Sequence, residues 1–488
     1  MKYYNFLTKP HAQFWLKIYA SIIFLYSLSG YLLKAFPHNT TANILPGIAP
    51  LINLGKPYLD YWDVYPPGIY MFYYYLYFIG GNTFFSYAVA HVLMLSLIIY
   101  FAYKLFRFLS DEPILFFIAV SYFLSPLFIS YTLPNEIVGL FFSFLGLYIY
   151  TSNGSERLYK FFLSNFFLIT AAFIKEIFFL PAFCVILYTI LKGEGRKFIS
   201  SFLGLLGSLT LIYLYMHNLQ IYNEVIQNYI IKFSLFSFEN ILQKGFLLIA
   251  PVFFLCFYII FSKNSSIKKL LKELDRSSVI YFYSVLILFS FLIIGRDDGG
   301  HFDIPKIFPL FFIFIPIVKK ASRNMKILSI LLVVFVSGYF LKFQHSTYSY
   351  LLIEPSFSTG ETYSPPEVSR DLADSLERLK PSILYLYGWG STNFYYNLNI
   401  QPYSKYWIVN PQILTTFQIN ELKEEISIDP PEYIYYCGFD ATCEAGFDYE
   451  KFEKNYINFY EIVSNCYVNV EKNFYQLQKK SCLENIRY

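Results

Sequence analysis

The stretch ITAAFIKEIFFLPAFCVILYTILKGEGRKFISSFLGLLGSLTLIYLYM (Ile169–Met216) decides the fold class. Its apolar runs are cut first by Lys175-Glu176 and then by a break carrying Lys192, Arg196 and Lys197. Runs this uniformly apolar read as helices buried on all sides, in a large core or in a bilayer. The pattern extends in both directions. Spans fall near Phe14–Leu33, Phe84–Phe106, Pro113–Tyr131, Ile137–Tyr150, Phe161–Ile174, Ile177–Leu191, Phe198–Met216, Phe246–Phe261, Val279–Ile294, Ile307–Val318 and Ile327–Leu341. Several are shorter than the roughly 20 residues that a crossing needs, so their ends run into neighbouring polar residues. Composition agrees: of 488 residues, 56% are hydrophobic and only 15% charged, which excludes an ordinary soluble globular chain. The net charge of +4 carries no nucleic-acid signature. With 55 Phe and 48 Tyr, aromatic-rich stretches reflect a compositional bias and are not read as binding stripes. The first apolar run follows a charged lead and has no small-residue cleavage site, so it reads as a retained span rather than a signal peptide.

The polar breaks alternate in character. With the N-terminus inside, one face receives Lys2 and Lys9, Lys104 and Arg107, Arg157 and Lys160, Lys192 with Arg196 and Lys197, Lys263 through Arg276, and Lys319 through Lys326. That is the positive-inside pattern, provided the short aromatic run Ile69–Ile79 lies along the interface instead of crossing. The reading gives about eleven spans with the C-terminus outside. The other face collects Asp60, Asp63, Glu136, Lys175, Glu176, Arg296, Asp297, Asp298, His301 and Asp303. Ionisable groups near a bilayer are costly and tend to be functional, so that face is expected to hold a catalytic or transport cleft.

The chain divides into a transmembrane part, residues 1–343, and a polar part, residues 344–488. In the second part EVSRDLADSLERL and FQINELKEEI read as helices. ILYLY (Ile383–Tyr387) and EYIYYCG (Glu432–Gly438) read as strands, and CYVNVEKNFYQLQK as a closing hairpin, which together make a small α/β domain. Cys184 and Cys256 lie inside apolar runs as packing residues. Cys437, Cys443, Cys466 and Cys482 all fall in the polar part, where disulfides would imply an oxidising, extracytoplasmic setting. Four cysteines allow three pairings. Sequence order slightly favours Cys437–Cys443 with Cys466–Cys482, and metal binding is the weaker reading because no CxxC spacing occurs.

Several segments, in order, resemble one family. GKPYLDYWDVYPPGIYMFYY (Gly55–Tyr74), LPNEIVGLFFSFLGLYIY (Leu133–Tyr150), ITAAFIKEIFFLPAFCVILYTIL (Ile169–Leu191), GRDDGGHFDIPKIFP (Gly295–Pro309) and LYLYGWGSTNFYYNLNIQPYSKYW (Leu384–Trp407) are similar to segments of bacterial GT-C glycosyltransferases. That group includes the protein O-mannosyltransferases and the lipid A aminoarabinose transferase. The resemblance implies an α-helical polytopic fold with a C-terminal extracytoplasmic α/β domain, located in the cell inner membrane. It implies transfer of a sugar from a polyprenyl-phosphate donor to a lipid, glycan or protein acceptor on the outer face. The partners are then that donor, membrane lipids and the acceptor, with no nucleic acid. In one place the chain departs from the family: members commonly carry an acid just after the first span, whereas FPHNTTANILPG (Phe36–Gly47) has none.

The chemistry assigns roles without the family. Transfer from a lipid phosphate to a hydroxyl needs a carboxylate to take the proton and cations to hold the leaving phosphate. Asp60 and Asp63, three residues apart, share one face of a helical turn and are the catalytic candidates. Their alternative is a solvated loop beside Pro66-Pro67. Arg296 offers a bidentate phosphate grip and Lys175 a point charge, or Lys175-Glu176 simply marks the turn of a helical hairpin. His301 binds phosphate or moves a proton, or is a polar interface residue. Glu136 faces the cleft or is a helix N-terminal acid favoured by the dipole. No metal site is assigned and no cofactor is certain. The pair able to chelate a divalent cation is Asp297-Asp298, although adjacent acids usually belong to a wet loop. The rival classes are an O-antigen type polymerase or ligase, a transporter, and a non-catalytic paralogue acting as a partner protein.

Overall fold

The computed structural model describes residues 56–59, 66–80, 84–110, 135–152, 157–227, 275–294, 304–320, 384–387, 403–404, 416–436, 464–471 and 474–478, with scattered single positions besides. These are mostly helical, with few strands. The helices are α1 (Pro67–Gly80), α2 (Phe84–Leu109), α3 (Asn135–Thr151), α4 (Leu158–Ile174), α5 (Phe179–Leu191), α6 (Gly195–Leu219), α7 (Arg276–Ile294) and α8 (Ile304–Lys320). Each coincides with an apolar run, and most extend it at one or both ends, whereas α5 starts two residues later than the expected Ile177 because Glu176–Phe178 forms a 3-10 turn. Among the described residues two segments, Val89–Leu109 and Gly195–Leu219, are long and apolar enough to cross a membrane. The spans expected near Phe246–Phe261 and Ile327–Leu341 lie outside the described residues.

Local chemistry sets the helix ends. Gly193, at φ 66°, closes α5: Glu194 N–H reaches Thr189 O at 3.0 Å and Gly193 N–H reaches Ile190 O at 2.9 Å. This is a Schellman stop, whose left-handed residue is cheapest as glycine. Gln220, at φ 58°, closes α6 in the same way, with Ile221 N–H on Met216 O at 3.0 Å. Asp275 starts α7, its Oδ1 accepting from Ser278 N–H at 3.1 Å while Asp275 N–H donates to Ser278 Oγ at 3.3 Å. That reciprocal pair is a capping box.

α4 runs antiparallel to α3 and to α5, and the charges follow. Tyr150 at the end of α3 meets Phe161 of α4 at 5.9 Å and Tyr188 at the end of α5 at 6.1 Å, ring centre to ring centre. Phe101 of α2 stacks on Tyr148 of α3 at 5.3 Å. Lys160 donates to Ser152 Oγ at 2.8 Å, and Lys197 lies 5.4 Å from the Phe161 ring. Arg276 lies within electrostatic reach of Tyr150 and Tyr188. Lys104, Lys160, Lys192, Lys197 and Arg276 therefore gather at one end of the bundle. Glu136, Lys175 and Glu176 lie at the other.

The packing of α6 inverts the soluble-protein pattern. Ser200, Ser201, Gly204 and Ser208 face inward and are buried. Ile199, Phe202, Leu203, Leu206, Leu209, Tyr213 and Leu214 face outward, each between 39% and 59% exposed. The buried face closes on α4 through side-chain hydroxyls. Ser200 Oγ donates to Leu158 O at 2.5 Å, and the hydroxyls of Thr170 and Ser208 share a hydrogen bond at 3.0 Å. Any Cβ on Gly204 would collide with Phe162 O, so this crossing requires glycine. On the other side of α4, Ser164 Oγ donates to Gly146 O of α3 at 2.9 Å. An aromatic cluster locks α8 to α2 and α3, with Phe312 at 4.8 Å from Phe106 and Phe308 at 5.1 Å from Phe144.

The C-terminal part carries β1 (Leu384–Tyr387), α9 (Thr416–Ile428), β2 (Tyr433–Tyr436), β3 (Tyr467–Glu471) and β4 (Phe474–Leu477). They form a sheet of order β1-β2-β4-β3, parallel between β1 and β2 and antiparallel elsewhere. α9 lies in the connection that joins the parallel pair, and β3–β4 is the hairpin expected from the sequence. The strands fall where ILYLY and EYIYYCG placed them. The helix expected over EVSRDLADSLERL lies outside the described residues. Tyr406 and Ser404 donate to Glu421 and Glu425 of α9. Burial and those carboxylates push the Tyr406 hydroxyl well above the usual phenol range. Cys466, buried, is one half of a disulfide. Its partner cysteine lies outside the described residues, so the pairing stays open.

Candidate functional site

The Lys175-Glu176 break is a true interruption of helix. α4 ends at Ile174, and Lys175 adopts extended backbone at φ −153°, ψ 128°. A single 3-10 turn, Glu176–Phe178, then leads into α5. Lys175 N–H still closes α4 on Ala171 O at 3.0 Å, and Lys175 O receives Phe178 N–H at 3.0 Å. The buried Phe178 ring packs against Gly139 of α3, where no side chain could be accommodated, and so ties the turn to the start of that helix. Pro181 follows in the first turn of α5, where a missing N–H costs no helical bond.

This arrangement brings Lys175 Nζ onto Glu136 Oε1 as a hydrogen-bonded ion pair. The Glu136 side chain is 3% exposed and that of Lys175 20%, so the pair is buried on its acidic side and open on its basic side. Glu136 occupies the first turn of α3, where unpaired backbone N–H groups favour a carboxylate. Its neighbour Asn135 is also buried, and among the described residues Asn135 Oδ1 has no hydrogen-bond partner. Glu176 points out and is exposed. A cation beside a carboxylate can receive an anion, and a buried amide acceptor without a donor can receive a hydroxyl group.

Of the residues singled out from sequence, the structure brings Glu136 and Lys175 together. Asp60, Asp63, Arg296, His301 and the Asp297-Asp298 pair lie outside the described residues. For Glu136 the structure shows the helix N-terminal acid, which also meets Lys175. Lys175 likewise marks a hairpin turn and carries an ion pair. Sequence reasoning missed Asn135, because its significance rests on lacking a partner, and a Leu-Pro-Asn-Glu start reads as an ordinary helix opening. Among the described residues no group of three or more His, Cys, Asp or Glu is placed to hold a metal ion. No protein-family model and no curated protein matches the chain.

Proposed function

We propose that this chain is a polytopic integral membrane glycosyltransferase of GT-C architecture, acting on a polyprenyl-phosphate sugar at the outer face of the cell inner membrane. The observation that carries the reading is the Glu136–Lys175 pair, set at the opposite end of an inside-out bundle from its basic belt. Small hydroxylated residues packed inward against helix backbone, with large apolar residues outward, suit helices solvated by lipid. The gathering of Lys104, Lys160, Lys192, Lys197 and Arg276 at one end suits a cytoplasmic face. The Cys466 disulfide supports an oxidising compartment for the C-terminal part.

In the proposed reaction an acceptor hydroxyl oxygen attacks the anomeric carbon. The bond from that carbon to the phosphate oxygen breaks, and its electron pair stays on the polyprenyl phosphate. Asp60 or Asp63 takes the hydroxyl proton, and Arg296 and Lys175 stabilise the departing phosphate. The attack from the opposite side inverts the anomeric configuration. The prenyl tail lies between spans, so a soluble nucleotide-binding domain is not required. The test is transfer from radiolabelled polyprenyl-phosphate sugars in proteoliposomes. A reproducible absence of transfer across donors and acceptors favours the second reading, a non-catalytic paralogue. That reading is supported by the lack of an acid between Phe36 and Gly47.

A further inference from the structure

We infer that Asn135 and Glu136 form a hydroxyl-accepting subsite for the donor's sugar ring, beside the phosphate position at Lys175. The inference rests on the proposed polyprenyl-phosphate donor and deepens it. Lys175 supplies the cation of the constellation, and cations serve phosphate. Asn135 and Glu136 supply acceptors, which repel phosphate and attract hydroxyl or amine donors. Asn135 Oδ1 is buried and has no donor among the described residues, a state that costs free energy until a partner arrives. The first turn of α3 holds it rigidly, next to a carboxylate that is itself fixed by an ion pair. A sugar hydroxyl is the small neutral donor that such a site lacks. The phosphate one bond away from the sugar then falls to Lys175, whose side chain is 20% exposed. The site therefore reads the sugar through α3 and the phosphate through the break between α4 and α5.

The experiment measures binding to the purified full chain in nanodiscs. The probes are undecaprenyl phosphate and its mannosyl, glucosyl and galactosyl adducts, and the variants are Asn135→Ala, Asn135→Asp and Lys175→Ala. For wild type, at least one adduct is expected to bind more tightly than the bare lipid phosphate. Asn135→Ala is expected to weaken that adduct by about 3–10-fold, the worth of one hydrogen bond, and to leave undecaprenyl phosphate unchanged. Asn135→Asp keeps an acceptor at the same place and is expected to retain the preference. Lys175→Ala is expected to weaken adduct and bare lipid alike. If the lipid phosphate binds but no adduct gains affinity, or if Asn135→Ala weakens both equally, the subsite is overturned while the donor class stands. If wild type binds none of the lipids, the proposed function fails, and the subsite with it.

Discussion

Glu136 and Lys175 form the ion pair on which the proposed function rests, and a double-mutant cycle separates its part in stability from its part in the proposed transfer. Replacing Lys175 by Met leaves a carboxylate of which only 3% is exposed, with its counter-charge gone. Breaking a buried pair in this way costs about 3–5 kcal/mol. Replacing Glu136 by Gln instead strands an ammonium whose side chain is 20% exposed and able to turn toward solvent. The expected cost is therefore smaller, about 1–3 kcal/mol. The double variant Glu136→Gln with Lys175→Met removes both charges at nearly constant volume, and is expected to return to within about 1–2 kcal/mol of wild type. The assay is thermal unfolding of the detergent-solubilised chain, at a fixed scan rate, followed by tryptophan fluorescence. At about 2 °C per kcal/mol for a large domain, the Lys175→Met drop should reach about 6–10 °C, with most of it recovered in the double variant. Sugar transfer should stay low in the double variant, because stability is restored without the phosphate cation. Strictly additive single effects would refute the pairing. A larger loss from Glu136→Gln than from Lys175→Met would refute the assignment of the buried and open sides.

Gly204→Ala should lower the unfolding temperature by the equivalent of about 1–3 kcal/mol of overpacking, because its Cβ would meet Phe162 O. Gly207→Ala, where a Cβ would sit 3.4 Å from the Phe162 ring, should be near neutral, and equal losses in the two variants would overturn the described α4–α6 crossing. At Asp275 burial favours the protonated form, but hydrogen bonds from Ser277 and Ser278 outweigh it and hold the carboxyl below its ordinary value. Its contribution is thus present above the unfolded-chain value, near pH 3.9, and is lost as pH falls through the lower folded-state value. The stability gap between wild type and Asp275→Ala should accordingly be flat from pH 5 to 7 and close only in strong acid. Alkaline phosphatase fused after residue 343 should be active and a fusion near Lys269 inactive, whereas the reverse pattern would put the proposed site on the cytoplasmic side. Asp60→Asn should slow transfer by about 10²–10⁴-fold and Asp63→Asn less, and normal transfer in the double variant would remove both from the base role.

The helical part was legible because apolar runs and polar breaks are one-dimensional signals. KGEGRK between α5 and α6 announced a turn, and Gly193 makes that turn with a left-handed backbone. The tail was legible for a similar reason, since short β-rich runs such as YIYY alternate with a helical pattern at FQINELKEEI. The ends were harder. α3 begins at Asn135 rather than Ile137, and of the two added polar residues Glu136 finds a partner across the bundle. The Glu136–Lys175 contact was not legible, because its partners are 39 residues apart and meet only once α3 and α4 pack antiparallel. Sequence placed both on one face. It could not say that one neutralises the other, nor that Asn135 beside them lacks a donor.

The broken backbone at Lys175 bears on where the site lies in a bilayer. Non-helical backbone at membrane depth is tolerated only where protein buries it or where it lines a wet cavity. Lys175 O is satisfied by the 3-10 turn, and Phe178 buries the inner side of the break against α3. The remaining side carries the exposed Glu176 and the open flank of Lys175, so it has to face water or headgroups. A pair of apolar residues would serve stability there as well as this ion pair does. What an apolar pair would not supply is a cation already desolvated on one side, which the proposed transfer from a lipid phosphate requires. On the proposed function, the break between α4 and α5 serves the ligand it would receive as well as the packing it provides.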